Sequence, residues 1–258
     1  TSCRRLEGKV AIVTASTKGI GLAIAERLCL EGAAVVISSR NQKNVDDALE
    51  YLRSKGCSKV KGLACHVAST DHQRKLVDFT IHKFNKIDIL INNHGISPVI
   101  GHILDLDEEG WDKLFQVNVK AGWQLSKLVY PYMAKNGGGS IVFNSSLSAY
   151  SPPPQGIAAY AVTKTALLGL TKALANGLAK DNIRVNAIAP GIIRTRMSKM
   201  LLDGIGDLDN RDIVGTMQIP LIGEPKDCAG AVAFLVSDDA QHINGETIVI
   251  AGGAHARL

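Results

Sequence analysis

Tyr160 and Lys164 stand four residues apart in "YAVTK". On a helix this spacing puts both side chains on one face. A free tyrosine hydroxyl titrates near pH 10 and is a poor acid–base group at neutral pH. A lysine cation beside it favours the phenolate and lowers that value, so the pair is suited to proton transfer. The pattern alone is common and usually inert, but two further polar positions lie upstream of it. "SIVFNSS" ends on Ser145 and Ser146, and Asn118 interrupts the apolar stretch "FQVNVKAG". A buried asparagine must be hydrogen-bonded, so a structural anchor is the plain reading of Asn118.

A second set of residues suits phosphate. In "VTASTKGIG", a β-branched run meets Gly19 and Gly21 and then a helical pattern. Glycines there let the backbone approach a pyrophosphate, and the helix N-terminus offers free N–H groups and the positive end of its dipole. Ser16, Thr17 and Lys18 add donors and a cation. Ala15 occupies a position where many such turns carry glycine, and it is tolerable there if its φ stays negative. Structural turns use G-x-G just as often, so the strand before and the helix after carry the signal. Some 20 residues on, NAD-binding folds place a carboxylate on the ribose hydroxyls. This chain has Ser38, Ser39, Arg40 and Asn41 there. A carboxylate would repel a 2′-phosphate, whereas Ser39 and Arg40 would bind one, which points to NADP(H). The bland alternative for Arg40 is a solvated residue after a strand.

The elements that must position these groups alternate. Strand patterns at "KVAIVTA", "AAVVISS", "VKGLACHV", "IDILINN", "GSIVFNSS", "IRVNAIAP" and "ETIVIAGG" are separated by helical ones. Two of the helices are long, over 107–134 and 158–180. Strands apolar throughout, with helices between, mean a parallel sheet covered on both faces. The expectation is one doubly wound α/β domain over 1–258, a Rossmann-type fold of about seven strands. It has an irregular stretch over 194–224 and no linker or short repeat. With 46% hydrophobic and 21% charged residues the composition is that of a globular soluble protein. No run is long and apolar enough to span a membrane. The net charge of +5 is spread among acids, so a nucleic-acid partner is not expected. The five cysteines have no metal-ligand spacing and read as reduced thiols, mostly core packing. No metal site is expected.

The pieces "TASTKGIG", "NNHG", "VNV", "NSS", "YAVTK", "IRVNAIAPG" and "GETIVIAGG", in this order and spacing, make the chain resemble the short-chain dehydrogenase/reductase family over essentially its whole length. Its finer stretches, such as "KTALLGLTKALA" and "LVSDDAQHINGE", are similar to peroxisomal NADPH-dependent carbonyl and retinal reductases of that family. The resemblance implies Tyr160 as general acid, with Lys164 lowering its pKa and holding the nicotinamide ribose. It implies Ser146 on the substrate oxygen and Asn118 as anchor of a proton relay. Gly19, Ile20 and Gly21 would hold the pyrophosphate, and Asn92 and Gly95 would line the adenosine side. Pro190, Gly191, Ile193 and Thr195 would hold the nicotinamide end. Asn44, His66, Val67 and Asn93 complete the implied cofactor set.

His66 stands where the family commonly has an aspartate that meets the adenine amine. His94 replaces a small residue and is expected to pack. Ser146 is 14 residues before Tyr160, against a usual 13. One extra residue in "SPPPQG" accounts for this, Ser148 is the competitor, and Ser145 should point to the other side. The resemblance implies a substrate lid at about 196–220; Ser146, Leu147, Tyr160, Met197, Met200 and Leu201 are the expected substrate contacts, and the apolar character of the lid residues suits a small-molecule carbonyl compound. The implied assembly is a homotetramer built on the two long helices. Ala256, Arg257 and Leu258 resemble a peroxisomal address read by an import receptor. A 3-oxoacyl-thioester reductase of the same fold, or a catalytically idle NADP-binding module, remain as alternatives.

Overall fold

Alternation within single strands builds this molecule. In β1 (Val10–Val13), Ala11 and Val13 join one apolar cluster while Ile12 joins the other. In β2 (Ala34–Ser39), Val35 and Ile37 share the first cluster and Val36 the second. Successive strand side chains point to opposite faces, so both faces of the sheet are apolar and both must be covered. The computed structural model describes residues 4–97, 101–153, 156–198 and 222–254.

The other strands are β3 (Val60–Ala64), β4 (Ile89–Asn92), β5 (Gly139–Asn144), β6 (Ile183–Pro190) and β7 (Thr247–Ile250). All seven are parallel, in the order β3-β2-β1-β4-β5-β6-β7. The expected doubly wound sheet is therefore present. Helices α1 (Gly19–Leu30), α2 (Gln42–Ser54) and α7 (Pro225–Val236) cover one face, where Ile24, Leu28, Leu52 and Val232 are fully buried. Helices α3 (Thr70–Phe84), α5 (Ala121–Lys135) and α6 (Ala158–Leu178) cover the other, with Leu76, Leu125 and Val129 fully buried. The strand order reverses between β1 and β4, and this reversal opens a crevice at the carboxyl ends of the strands.

The helix expected over 107–134 is not uniform. It runs as α4 (Glu108–Phe115), a five-residue π turn (Gln116–Lys120) and then α5. Such turns are rare and concentrate at functional sites. Asn118 lies inside this one.

Candidate active site

The crevice draws on the ends of β1, β4 and β5 and on one face of α6. Hydrogen bonds between side chains and backbone lock the three strand ends together. Asn93 Nδ2 donates to the carbonyls of Thr14 and Ala15 at 3.2 and 3.0 Å, and its Oδ1 accepts from Asn144 Nδ2 at 2.9 Å. Thr14 Oγ1 accepts from the backbone N–H groups of Asn93 and His94. His94 is 4% exposed, with Nδ1 2.9 Å from Thr14 Oγ1. Burial, with Lys164 adding to it, pushes its pKa down to about 3, so the ring is neutral and packed.

The phosphate turn departs from expectation at two residues. Ala15 has φ +48°, in the left-handed region, so the condition that it keep a negative φ is not met. Its Cβ makes this conformation costly, by about 1–2 kcal/mol. The hydrogen bond from Asn93 to its carbonyl helps to hold it. Ser16 is fully buried. Its hydroxyl donates to Val13 O at 2.6 Å and accepts from Ser38 N at 3.0 Å. It therefore joins the turn to the end of β2 and does not face a phosphate. The rest of the turn remains open. Lys18, at the N-cap of α1, makes no side-chain capping bond, whereas Asn41, Ser69 and Asp107 cap α2, α3 and α4. The first N–H groups of α1 therefore keep their capacity to bind an anion.

Gly19 has φ +55°, and a side chain there would press on Thr195 Cγ2 at 3.3 Å. A Cβ on Gly21 would overlap Asn93 Nδ2 and lie 2.5 Å from Ala15 O, so this glycine lets α1 pack on the strand ends. Thr195 is thus brought to the phosphate turn. It is fixed by Ser198, whose hydroxyl accepts from Thr195 N at 2.9 Å. Ile193 is buried in the core and Pro190 closes β6. Gly223 bridges Ile193, and Arg194 pairs with Glu224 at 2.9 Å, which joins the two flanks of the 199–221 segment.

At the end of β2, Ser39 is half-buried and Arg40 is exposed. Among the described residues neither Arg40 nor Lys18 has an ion-pair partner. A free helix terminus, a glycine backbone and two unpaired cations fit a phosphorylated dinucleotide. His66 is exposed beyond β3, beside the buried Val67, and Asn44 is half-buried in the first turn of α2. Asn92 is placed differently from expectation. It is 2% exposed, neither atom of its amide has a hydrogen-bond partner, and it lies against Gly122 of α5. It is a buried residue beneath the crevice and does not line the adenosine side.

The acid–base groups converge at the other end. Lys164 Nζ lies 5.4 Å from the centre of the Tyr160 ring and donates to Asn144 O at 2.6 Å. Gly95 leaves room for it: a Cβ there would sit 3.3 Å from Nζ. Ser146 lies near enough to the Tyr160 hydroxyl to favour its ionised form. Ser148, the competitor, is 8% exposed and donates its hydroxyl to Ser146 at 2.9 Å, so it supports Ser146 from behind. Ser145 turns away and donates to Lys164 O at 2.8 Å.

The expectation that Lys164 depresses the Tyr160 pKa is not met in this arrangement. Burial dominates and pushes the phenol up to about 12, opposed by the nearby Ser146 hydroxyl. The same burial pushes Lys164 down to about 7.

Asn118 makes no hydrogen bond to Lys164. Its Oδ1 accepts from Ile96 N at 2.8 Å, and its Nδ2 donates to Ile96 O and Thr163 Oγ1 at 3.0 Å each. Thr163 Oγ1 in turn donates to Tyr160 O at 2.7 Å. The asparagine therefore ties the chain after β4 to the turn of α6 that carries Tyr160 and Lys164. Asn144, Thr163 and Thr14 were not evident as site residues from sequence. The available signals were a polar residue ending a buried strand, a threonine three residues after Tyr160, and a threonine ending β1. Leu147 is half-buried and Met197 is 46% exposed, while Met200 and Leu201 lie outside the described residues. Ile103, Leu106, Leu114 and Ala159 add an apolar wall next to Tyr160 that sequence did not indicate. No group of three or more metal-ligating side chains occurs among the described residues. Nor does any described helix have the length and apolarity to cross a membrane.

Residues 14–255 match the family model described as enoyl-(acyl carrier protein) reductase. The chain is 65% identical over 260 residues to dehydrogenase/reductase SDR family member 4 of Caenorhabditis elegans, covering 100% of this chain and 99% of that one. The Homo sapiens protein of the same name is 50% identical over 253 residues, covering 98% of this chain and 90% of the other. Among solved structures, a 7α-hydroxysteroid dehydrogenase complexed with NADH and 7-oxo glycochenodeoxycholic acid is similar with a TM-score of 0.91. It is 33% identical, covering 100% of this chain and 98% of that one. A putative short-chain alcohol dehydrogenase from Sinorhizobium meliloti 1021 has the same TM-score at 32% identity, covering 98% of each chain.

Proposed function

The chain belongs to the short-chain dehydrogenase/reductase family, and from that premise we propose that this nicotinamide-dependent oxidoreductase is an NADPH-dependent reductase of apolar ketones and aldehydes. The observation that carries the reading is the convergence of Ser146, Tyr160 and Lys164 on one end of the crevice. Aromatic ketones, α-dicarbonyls and retinal are the substrate classes that suit the apolar wall around Tyr160.

When bound, the cofactor supplies a hydride to the carbonyl carbon. The chain supplies the proton and the polarisation. Ser146 hydrogen-bonds the carbonyl oxygen, which favours the charge that develops there. Tyr160 gives its hydroxyl proton to that oxygen as the alcohol forms. At neutral pH a phenol titrating near 12 is fully protonated and ready to donate. Lys164, held by Asn144 O, hydrogen-bonds the nicotinamide ribose and supports the charge left on Tyr160. Asn118 ties the chain after β4 to the turn of α6 that carries both groups. At the far end, the N–H groups of α1, with Gly19, Ile20 and Lys18, bind the pyrophosphate, and Ser39 and Arg40 bind the 2′-phosphate.

Tyr160→Phe tests the acid. NADPH affinity should survive while turnover falls by 10²-fold or more, and persistent turnover would show another donor. Arg40→Glu tests the cofactor: NADPH should weaken by about 10–100-fold with NADH little changed, and equal effects on both would remove the 2′-phosphate contact. A second reading has an observation behind it, since the matched family model is described by an acyl-carrier substrate. Oxidation of NADPH at 340 nm with an α-dicarbonyl, an aryl ketone, all-trans-retinal and an acetoacetyl thioester separates the two. Turnover confined to the thioester would favour the second reading, and tight NADPH binding with no turnover would favour an idle module.

The proposal extends to assembly and location. Trp123 is 42% exposed over a groove of about 900 Å³ between α4–α5 and α6, which suits a homotetramer. Trp123→Glu should shift the mass found by light scattering towards smaller species. Ala256-Arg257-Leu258, outside the described residues, is read as the peroxisomal address. A fluorescent fusion carrying these three residues should enter peroxisomes, and one lacking them should not.

A further inference from the structure

Side chains from neighbouring helices hold the turn that follows β3. β3 runs beside β2 with Ala64 opposite Ser39, and the Cys65 N–H donates to Ser39 O at 2.8 Å. Residues 66–69 therefore leave the sheet at its carboxyl edge, next to Ser39 and Arg40. Gln73 Nε2, on α3, donates to Val67 O at 2.5 Å and to Ala121 O at 3.2 Å. Gln116 Nε2 donates to Ala68 O at 3.2 Å. The His66 N–H donates to His72 Nδ1 at 3.2 Å, and His66 O accepts from Ser69 N at 2.9 Å. A connection at the surface ordinarily leaves such backbone groups to water.

Gln73 is a costly choice for packing alone. It is fully buried, and its Oε1 has no hydrogen-bond partner among the described residues. A buried carbonyl oxygen left unpaired destabilises the fold. Methionine has much the same length and no such oxygen. The amide therefore serves its two donated bonds. Gln116 opens the π turn, and Asn118 is the third residue of it. Asn118 fastens the turn of α6 that carries Tyr160. The same five residues thus reach the 66–69 turn on one side and the acid–base groups on the other.

We infer that His72, Gln73 and Gln116 are positioning residues for the base end of the cofactor, and that the π turn aligns this end with Tyr160. The inference rests on the dinucleotide reading above. In an open parallel sheet a ligand lies across the carboxyl ends of the strands. With the pyrophosphate on α1 and the 2′-phosphate at Ser39 and Arg40, the base falls beyond β2, against residues 66–69. The three side chains act through the backbone they hold. Val67 O and Ala68 O are drawn towards the helices, so the wall that meets the base has its shape before the cofactor arrives. Binding then does not have to order it.

Gln73→Met and Gln116→Met, made in the full chain, test the inference. Fluorescence titration reads NADPH affinity, and calorimetry reads that of adenosine 2′,5′-bisphosphate, which carries only the base end. Each substitution should weaken both by roughly 3–10-fold. At saturating NADPH, kcat should stay within about twofold of wild type. The melting temperature of Gln73→Met should stay close to wild type, since an unpaired Val67 O replaces an unpaired Oε1. His72 is exposed, so its variants spare the core. His72→Leu should weaken binding in the same way, and His72→Asn, which can place an acceptor oxygen where Nδ1 lies, should restore it. Unchanged affinity for the bisphosphate would overturn the inference. So would a fall in kcat with affinity intact, a loss confined to variants with a lowered melting temperature, or a failure of His72→Asn to restore binding. A wild type that prefers NADH would instead correct the 2′-phosphate reading, and the same ratios would then be taken with NADH and adenosine 5′-monophosphate.

Discussion

Replacing Lys164 with methionine should change how stability depends on pH. The lysine is 3% exposed and has no carboxylate within ion-pair distance among the described residues. Its ammonium rests on Asn144 O, and burial brings its pKa down to about 7. In the unfolded chain a lysine titrates near 10.4. Between these values the unfolded state binds a proton that the folded state does not, so stability rises with pH and is lost as pH falls towards 7. Below pH 7 both states are charged and the contribution is flat.

With half of the folded lysines neutral at pH 7, moving to pH 9 should add roughly 2.3 kcal/mol to the wild type that Lys164→Met does not gain. Urea titrations of both proteins at pH 7, 8 and 9 give the difference directly. For a slope near 3 kcal/mol/M it is a relative midpoint shift of about 0.8 M. Loss of the bond to Asn144 is constant across this range and cancels, and the Tyr160 phenol titrates above it. A wild-type-minus-variant difference that stays flat, or falls with pH, would mean that the folded ammonium is better solvated than its burial implies.

Other substitutions probe the frame around the site. Asn118→Ala removes three hydrogen bonds and strands both backbone groups of Ile96, which should cost roughly 3–5 kcal/mol. Urea unfolding reads it, and a loss under 1 kcal/mol would refute the anchoring role. Ala15→Gly relieves a left-handed φ but adds freedom to the unfolded chain, for a net gain of about 0.5–1 kcal/mol. A melting temperature 1–4 °C higher is expected, and a lower one would show that the Cβ makes a contact worth more than the strain. Gly21→Ala drives a methyl into Asn93 and the Ala15 carbonyl, and should lower both stability and cofactor affinity by scanning calorimetry and fluorescence titration. An unperturbed variant would mean that the turn can shift freely.

The sheet was legible because its strands are short, β-branched and apolar on both faces, a pattern only a covered parallel sheet satisfies. The Tyr160–Lys164 pair was legible because helix period and chemistry coincide. Ser16 was not, because a hydroxyl next to a glycine turn looks the same in sequence whether it faces a ligand or the end of β2. Ala15 was misjudged for a related reason. Its residue type disfavours the left-handed region, and only the tertiary bonds from Asn93 show why it is held there. Asn92 carries the same amide as Asn93, yet one residue of strand alternation sends it under α5. The pKa order of Tyr160 and Lys164 could not be read from their spacing, since it depends on how dry the crevice is.

The π turn at Gln116–Lys120 also sets the phase of the helix it interrupts. One residue more per turn rotates everything beyond it by about 100° relative to an unbroken α-helix. Leu114 before the turn and Leu125 and Val129 after it are all buried across this change of phase. Deleting a single residue within the turn would change that phase and swing Asn118 away from Ile96. Length at this point is as much a part of the site as the side chains are, and a substitution scan that keeps the length constant would not detect it.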